Sequence, residues 1–185
     1  MSSSTTFGPS ALATPANLIT AVRVALAPVI AVLVLDHRTS ALAAALWVFV
    51  SLTDKADGWL ARRQGATRSG AFLDPLADKI LVFGVFAALV AVGQVWWIPI
   101  GIMAVREVWM SWHRARLGRR GISVPARPLG KAKTFVQMLA IMTLITPGLN
   151  SFRHPVSIAF IWIAVGLTIV SGVSYYLDGR RYRTL

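Results

Sequence analysis

The sequence predicts an all-α, polytopic membrane protein with six transmembrane helices, and three observations carry that expectation. Of its 185 residues, 56% are hydrophobic and 14% charged, where a soluble domain carries about 25% charged residues. The apolar residues fall in long blocks rather than in alternation, which favours spanning helices over strands. Lys and Arg collect in alternate connections between those blocks, the pattern of a chain that crosses a bilayer repeatedly.

Residues 1–16 are rich in Ser, Thr, Pro and Ala and are expected to form a tail or a short surface-lying segment, leaving 17–185 as the membrane domain. No basic stretch precedes the first apolar run, and Arg23 lies inside it, so a cleaved signal peptide is not expected. Spans are drawn at Leu18–Leu35, Ser40–Arg62, Leu73–Val92, Val95–Trp112, Phe135–Leu149 and Val156–Leu177. Each is near the roughly 20 residues needed to cross, the fifth being short and the second half polar. The connection after the second span holds Arg62, Arg63 and Arg68. The one after the fourth holds Arg114, Arg116, Arg119, Arg120, Arg127, Lys131 and Lys133, and the C-terminal tail adds Arg180, Arg181 and Arg183. The other loops hold only Arg38 and Arg153, which places both termini in the cytoplasm. Trp96, Trp97, Trp112, Tyr175 and Tyr176 fall near span ends, where aromatic belts form.

Composition also excludes function classes. Without cysteine there is neither a disulfide framework nor a thiolate-held zinc or iron–sulfur site. His37, His113 and His154 lack metal-ligand spacing and read as interfacial or loop residues. The net charge of +12 is better explained by orienting loops and by attraction to anionic headgroups or phosphorylated substrates than by nucleic acid. No basic stripe sits in a soluble stretch long enough to fold into a nucleic-acid module.

The acids are the informative minority. Seven exist, and Asp54, Asp57, Asp74 and Asp78 fall within one segment, DKADGWLARRQGATRSGAFLDPLADK. On helices, Asp54 and Asp57 share one face and Asp74 and Asp78 another. The short Gly- and Arg-containing loop from Gln64 to Gly70 is expected to make the two helices antiparallel neighbours, so that the carboxylate pairs confront each other at the cytoplasmic mouth. Four partly buried carboxylates need compensation. Hard divalent cations supply it, taking carboxylate and phosphate oxygens, and two such ions about 4 Å apart can clamp attacking and leaving oxygens. Gly58 and Ala61 leave room for a ligand, and Arg62 and Arg68 offer forked hydrogen bonds to phosphates. One Asp at a helix end is ordinarily a cap, and Asp74 before Pro75 alone fits that role. Four aspartates beside spanning helices do not, because ionisable groups at membrane depth are rare and costly.

Asp54-x-x-Asp57-Gly58-x-x-Ala61-Arg62, seven residues, then Gly70-x-x-x-Asp74-x-x-x-Asp78 resembles the signature of the CDP-alcohol phosphotransferase family. The commonest form of that signature has eight residues between Arg and Gly, and an apolar or aromatic residue where Lys55 stands. The resemblance implies six transmembrane helices, a homodimer and a cytoplasm-facing polar cavity in a bacterial plasma membrane. It implies two divalent cations, Mg²⁺ or Mn²⁺, held by Asp54, Asp57, Asp74 and Asp78, with Asp78 also the general base on the acceptor hydroxyl. Asn17, Gly58, Ala61, Arg62, Arg68 and Gly70 are similar to the family's contacts on the CDP-diacylglycerol side, and CMP is the implied product.

Weaker echoes bear on the acceptor. The run Asn17–Arg23, GAFLDPLADK, Arg106-Glu107 with Arg114, and LGKAKTFVQM from Leu129 are similar to the bacterial members that make phosphatidylglycerophosphate, which implies glycerol 3-phosphate as acceptor. A dianionic phosphate needs cations, and Arg106, Arg114 and Lys131 are the candidates. Arg106 lies inside its span, with Glu107 placed to pair with a neighbouring base; Arg114 also fits ordinary orientation and snorkelling. Sister enzymes making cardiolipin or phosphatidylinositol phosphate share the signature. Of the other classes, a divalent-cation transporter would repeat polar groups through several spans, and a scaffold has no use for four clustered carboxylates.

Overall fold

The computed structural model describes residues 15–37, 40–64, 70–118 and 128–181. Six helices follow in order: α1 (Pro15–His37), α2 (Ala41–Gln64), α3 (Gly70–Ala91), α4 (Trp97–Gly118), α5 (Pro128–Ile145) and α6 (Asn150–Arg181), with no strand among the described residues. Each expected span overlaps one helix. Among the described residues two segments are long and apolar enough to cross a membrane, Leu18–His37 and His154–Ser174, with a shorter apolar stretch at Ala41–Thr53. Only 28% of the first and 33% of the second is buried within the protein, so neither resembles the core helix of a soluble domain.

Helix boundaries follow local chemistry. Pro15 and Pro128 open α1 and α5, where a missing N–H costs nothing. Ser40 caps α2: its Oγ accepts from Ala43 N at 3.3 Å and its carbonyl from Ala44 N at 2.9 Å. Gly93 and Gly148, in the turns after α3 and α5, have φ of 71° and 86°, a left-handed conformation that glycine adopts without steric cost. Two expectations are corrected. The fifth helix runs Pro128–Ile145, not Phe135–Leu149: hydropathy discounts its Lys-bearing first turns, and Pro147 turns the chain out of the helix before Leu149. The sixth is longer than Val156–Leu177, running from Asn150 to Arg181.

The chain divides into two compact units, Met1–Val92 with Ile145–Pro147, and Gly93–Leu144 with Gly148–Leu185. In the first, α1 packs extensively along α3 and also against α2. The buried positions of α1 are Thr20, Arg23, Ala27, Ile30 and Val34, a stripe stepping by three and four. Leu81, Val82, Val85, Phe86 and Leu89 are buried on α3, and Trp47 and Val50 on α2. Ser40 N also donates to Ile145 O at 3.0 Å. In the second unit α4 packs on α6, burying Ile100, Met103 and Met110 of one and Ile161, Ala164 and Val165 of the other. Polar contacts add α5: Gln137 Nε2 donates to Met103 Sδ at 3.1 Å, and the hydroxyls of Thr143 and Ser157 are 2.8 Å apart.

Hydroxyls within helices are satisfied locally. Ser51, Ser111, Thr168 and Ser174 each donate to the carbonyl one turn back, at 2.6–2.8 Å, which lets a polar side chain sit in apolar surroundings.

Gly148 has open space around it but a positive φ, whereas Gly166 is helical, exposed and equally uncrowded. Gly148→Ala therefore costs about 1–2 kcal/mol through backbone conformation, while Gly166→Ala is neutral or stabilises by up to about 1 kcal/mol. Thermal unfolding in detergent reads the contrast; equal melting temperatures contradict it.

Candidate active site

The signature occupies one continuous helix and the opening turns of the next. Asp54, Asp57, Gly58, Ala61 and Arg62 follow one another along the last three turns of α2, and α3 begins at Gly70, setting Asp74 and Asp78 one turn apart. The side chains of Asn17, Asp54, Asp57, Ala61, Arg62 and Asp74, like the whole of Arg68, lie outside the described residues, as does any contact at Gly58 and Gly70. Asp78 is described.

Asp78 is met by Arg23. Arg23 Nη1 donates to Asp78 Oδ1 at 2.7 Å, across 55 residues of chain. The Arg23 side chain is 1% exposed and that of Asp78 37%. A guanidinium buried this completely requires an anionic partner, and the carboxylate that supplies it also reaches the protein surface. Arg23 occupies the α1 stripe of Thr20, Ala27, Ile30 and Val34, which explains why α1 delivers it to α3. Sequence reasoning used Arg23 only to argue against a signal peptide. A lone cation inside an apolar run was itself the signal that a partner existed.

Among the described residues no three histidines or carboxylates converge, and the side chains of Asp54, Asp57 and Asp74 lie outside them. The donor set fits a hard divalent cation: four carboxylates, no thiolate and no imidazole at ligand spacing. The exposed part of Asp78 is compatible with that role.

The second unit carries its own charged cluster. Glu107 Oε1 accepts from Arg106 Nη1 at 2.6 Å and from Lys133 Nζ of α5, so the pairing expected of Glu107 is present. Arg106 Nη2 donates to Ser171 Oγ on α6 at 2.8 Å. Of the acceptor-phosphate candidates, Arg106 joins this cluster, Lys131 is exposed, and the side chain of Arg114 lies outside the described residues. Lys133 and Ser171 were not singled out from the sequence. Positions 131 and 133 stand about 200° apart around a helix, and only packing reveals which one faces inward. Near the end of α4, His113 stacks on Trp109 with centroids 5.5 Å apart, and the Arg116 guanidinium lies 5.3 Å from the Trp112 ring centroid. His37 and His154 are exposed.

Comparison with known proteins agrees with the signature. Residues 13–170 match the model of the CDP-alcohol phosphatidyltransferase family. A probable phosphatidylglycerophosphate synthase of Mycobacterium tuberculosis is 35% identical over 175 residues, covering 91% of this chain and 82% of the relative. The CDP-diacylglycerol–glycerol-3-phosphate 3-phosphatidyltransferase of Rickettsia bellii is 37% identical over 172 residues, covering 90% and 95%. The enzyme of the same name from Pectobacterium atrosepticum is 37% identical over 177 residues, covering 91% and 96%. The family match spans most of the chain and takes in both carboxylate-bearing helices, so this protein belongs to the CDP-alcohol phosphatidyltransferase family of enzymes.

Proposed function

We propose that this protein transfers the phosphatidyl group of CDP-diacylglycerol to glycerol 3-phosphate, giving phosphatidylglycerophosphate and CMP. The observation that carries the reading is the four-aspartate signature on α2 and α3, in a chain whose relatives bear the names of that activity along nearly their full length.

In this mechanism Asp54, Asp57, Asp74 and Asp78 hold two divalent cations, Mg²⁺ or Mn²⁺. When bound, these neutralise charge on the diphosphate and on departing CMP. Asp78 takes the proton of the acceptor hydroxyl as its oxygen forms a bond to the phosphatidyl phosphorus. The bond from that phosphorus to the CMP oxygen breaks, and its electron pair leaves with CMP. Arg23 holds one oxygen of Asp78, and the Asp78 side chain is partly exposed toward where an acceptor could approach. Asn17, Gly58, Ala61, Arg62, Arg68 and Gly70 line the CDP-diacylglycerol side, while Arg106, Arg114 and Lys131 attract the acceptor phosphate.

The finer setting belongs to the same proposal. Residues 1–16 precede a membrane domain of 17–185 whose six helices all span a bacterial plasma membrane, in a homodimer, with both termini and the site on the cytoplasmic side. Outward-facing Leu18, Val32, Leu52, Val105, Val108 and Ile163 support lipid contact, since soluble monomers do not expose apolar faces along successive helices. The Trp112–Arg116 pair at the end of α4 suits the headgroup level on the Arg-rich side.

CMP release by the purified protein in detergent tests the reaction. Release with glycerol 3-phosphate, abolished by chelator and restored by Mg²⁺, is expected; release only with inositol phosphate or phosphatidylglycerol replaces the acceptor and retains the chemistry. Asp78→Asn keeps an oxygen to accept from Arg23 but loses the base, and should lower kcat by about 10²–10⁴-fold. Full turnover by that variant rejects the base assignment. Arg23→Met should cost roughly 10²-fold through misplacement of Asp78, with part of the loss recovered by Arg23→Lys; turnover unchanged in both would show that Arg23 positions nothing.

A further inference from the structure

Side-chain contacts fix the directions of the helices in the second unit. Lys133 meets Glu107 and Gln137 meets Met103, so α5 runs antiparallel to α4. Thr143 meets Ser157 while Arg106 meets Ser171, so α6 runs antiparallel to α5 and parallel to α4. Helices α4 and α6 therefore finish at the same end of the unit. An exposed apolar stripe runs along each toward that end, through Ile102, Val105, Trp109 and Trp112 on α4 and Ile169 and Val173 on α6. On α4 the stripe closes on Arg116, one turn past Trp112, whose ring centroid lies 5.3 Å from the guanidinium carbon. On α6 the same register, stepping by three and four from Val173, reaches positions Tyr176 and Arg180. Positions 116 and 180 both stand roughly 15 Å beyond the Arg106–Ser171 contact, at about 1.5 Å of rise per residue.

Apolar, then aromatic, then cationic is the order met on leaving a bilayer through its carbonyl and phosphate levels. Membrane orientation and the dipole at a helix C-terminus both ask for positive charge alone, which lysine supplies equally well. The Trp112–Arg116 pair has a further property. Cation–π attraction to the ring holds the planar guanidinium in place, and its N–H groups can donate in a fork to phosphate oxygens. From residue 108 onward the sequence holds eleven Lys and Arg against one acid, Asp178, so this stretch does not neutralise itself. An apolar stripe leading up to the cation selects an anion that carries acyl chains over a free one.

We propose that the end of α4 is a docking site for an anionic phospholipid of the surrounding bilayer. Arg116, backed by the Trp112 ring, takes the headgroup phosphodiester, and an acyl chain lies along Val105 and Trp109. The site is separate from the residues assigned above to the nucleotide lipid and to the acceptor. It rests on the membrane-spanning setting proposed for this chain and is indifferent to which alcohol is the acceptor.

The test counts lipid adducts by native mass spectrometry of the full chain in detergent, titrated with phosphatidylserine or with phosphatidylcholine. Wild-type protein is expected to bind phosphatidylserine at least about fivefold more tightly, the effect of one well-placed cation, with the preference shrinking as salt rises. Arg116→Ala should abolish most of that preference, and Trp112→Leu and Arg116→Lys should each at least halve it, because charge without the ring or the fork is not enough. Arg183→Ala removes a cation from the C-terminal tail and should change it less than about twofold. CMP release in detergent by Trp112→Leu and Arg116→Lys should stay within about twofold of wild type, since neither residue touches the reacting groups. Equal affinity for the two lipids overturns the proposal, as does a loss in Arg183→Ala matching that in Arg116→Ala, which is diffuse charge. Trp112→Leu protein that loses its partner subunit yet keeps the lipid preference also overturns it, by giving this face to a second copy of the chain. Wild-type protein that fails to co-float with vesicles rejects the membrane setting itself, whereas co-floating protein without lipid preference rejects only this site.

Discussion

A charged group placed among apolar helices must bring its partner with it, and that constraint organises both units of this protein. Water is not there to solvate Arg23, so α1 can pack along α3 only in a register that delivers its guanidinium to Asp78. Apolar packing then follows the register: Ala27, Ile30 and Val34 continue the same stripe toward the other end of α1. A helix pair held by aliphatic contacts alone tolerates sliding and rotation, whereas one charged contact penalises both. The second unit repeats the device with Glu107, whose one carboxylate oxygen serves cations from α4 and α5 while Arg106 reaches α6.

The same constraint separates polar residues that belong to the helix from those that belong to a site. Ser51, Thr168 and Ser174 place their hydroxyl protons on carbonyls of their own helix, so those donors need no neighbouring helix. Arg23, Asp78, Arg106, Glu107 and Lys133 cannot be satisfied that way. Each is explained by a residue on the chain's own fold, and each lies in or beside the sequence that places the chain in its family.

Much of this was legible in the sequence because it is written in local terms. Six apolar blocks separated by Gly, Pro and basic residues gave six helices, and the Asp spacing placed the signature on the end of one helix and the start of the next. What escaped was whatever depends on the facing partner. Arg23 was visible as a cation in an apolar run, but Asp78 is 55 residues away and no local pattern joins them. Lys131 and Lys133 look alike in sequence, and their opposite fates depend on how α5 packs. The start of α5 was missed because its first turns carry lysines, which hydropathy scores as loop although one of them is buried.

Ser40 gives its backbone N–H to the carbonyl of Ile145, which lies 105 positions further along the chain. Ribosomal synthesis makes Ser40 long before Ile145 exists, so this bond is among the last that the growing chain can close. Until then the start of α2 relies on the Ser40 hydroxyl and carbonyl, which act within four residues of chain. The cap of α2 is thus complete early, and α1 is already there to pack on, while this one backbone tie waits for the end of the fifth helix. Order of synthesis is in this way built into the hydrogen bonding of one turn.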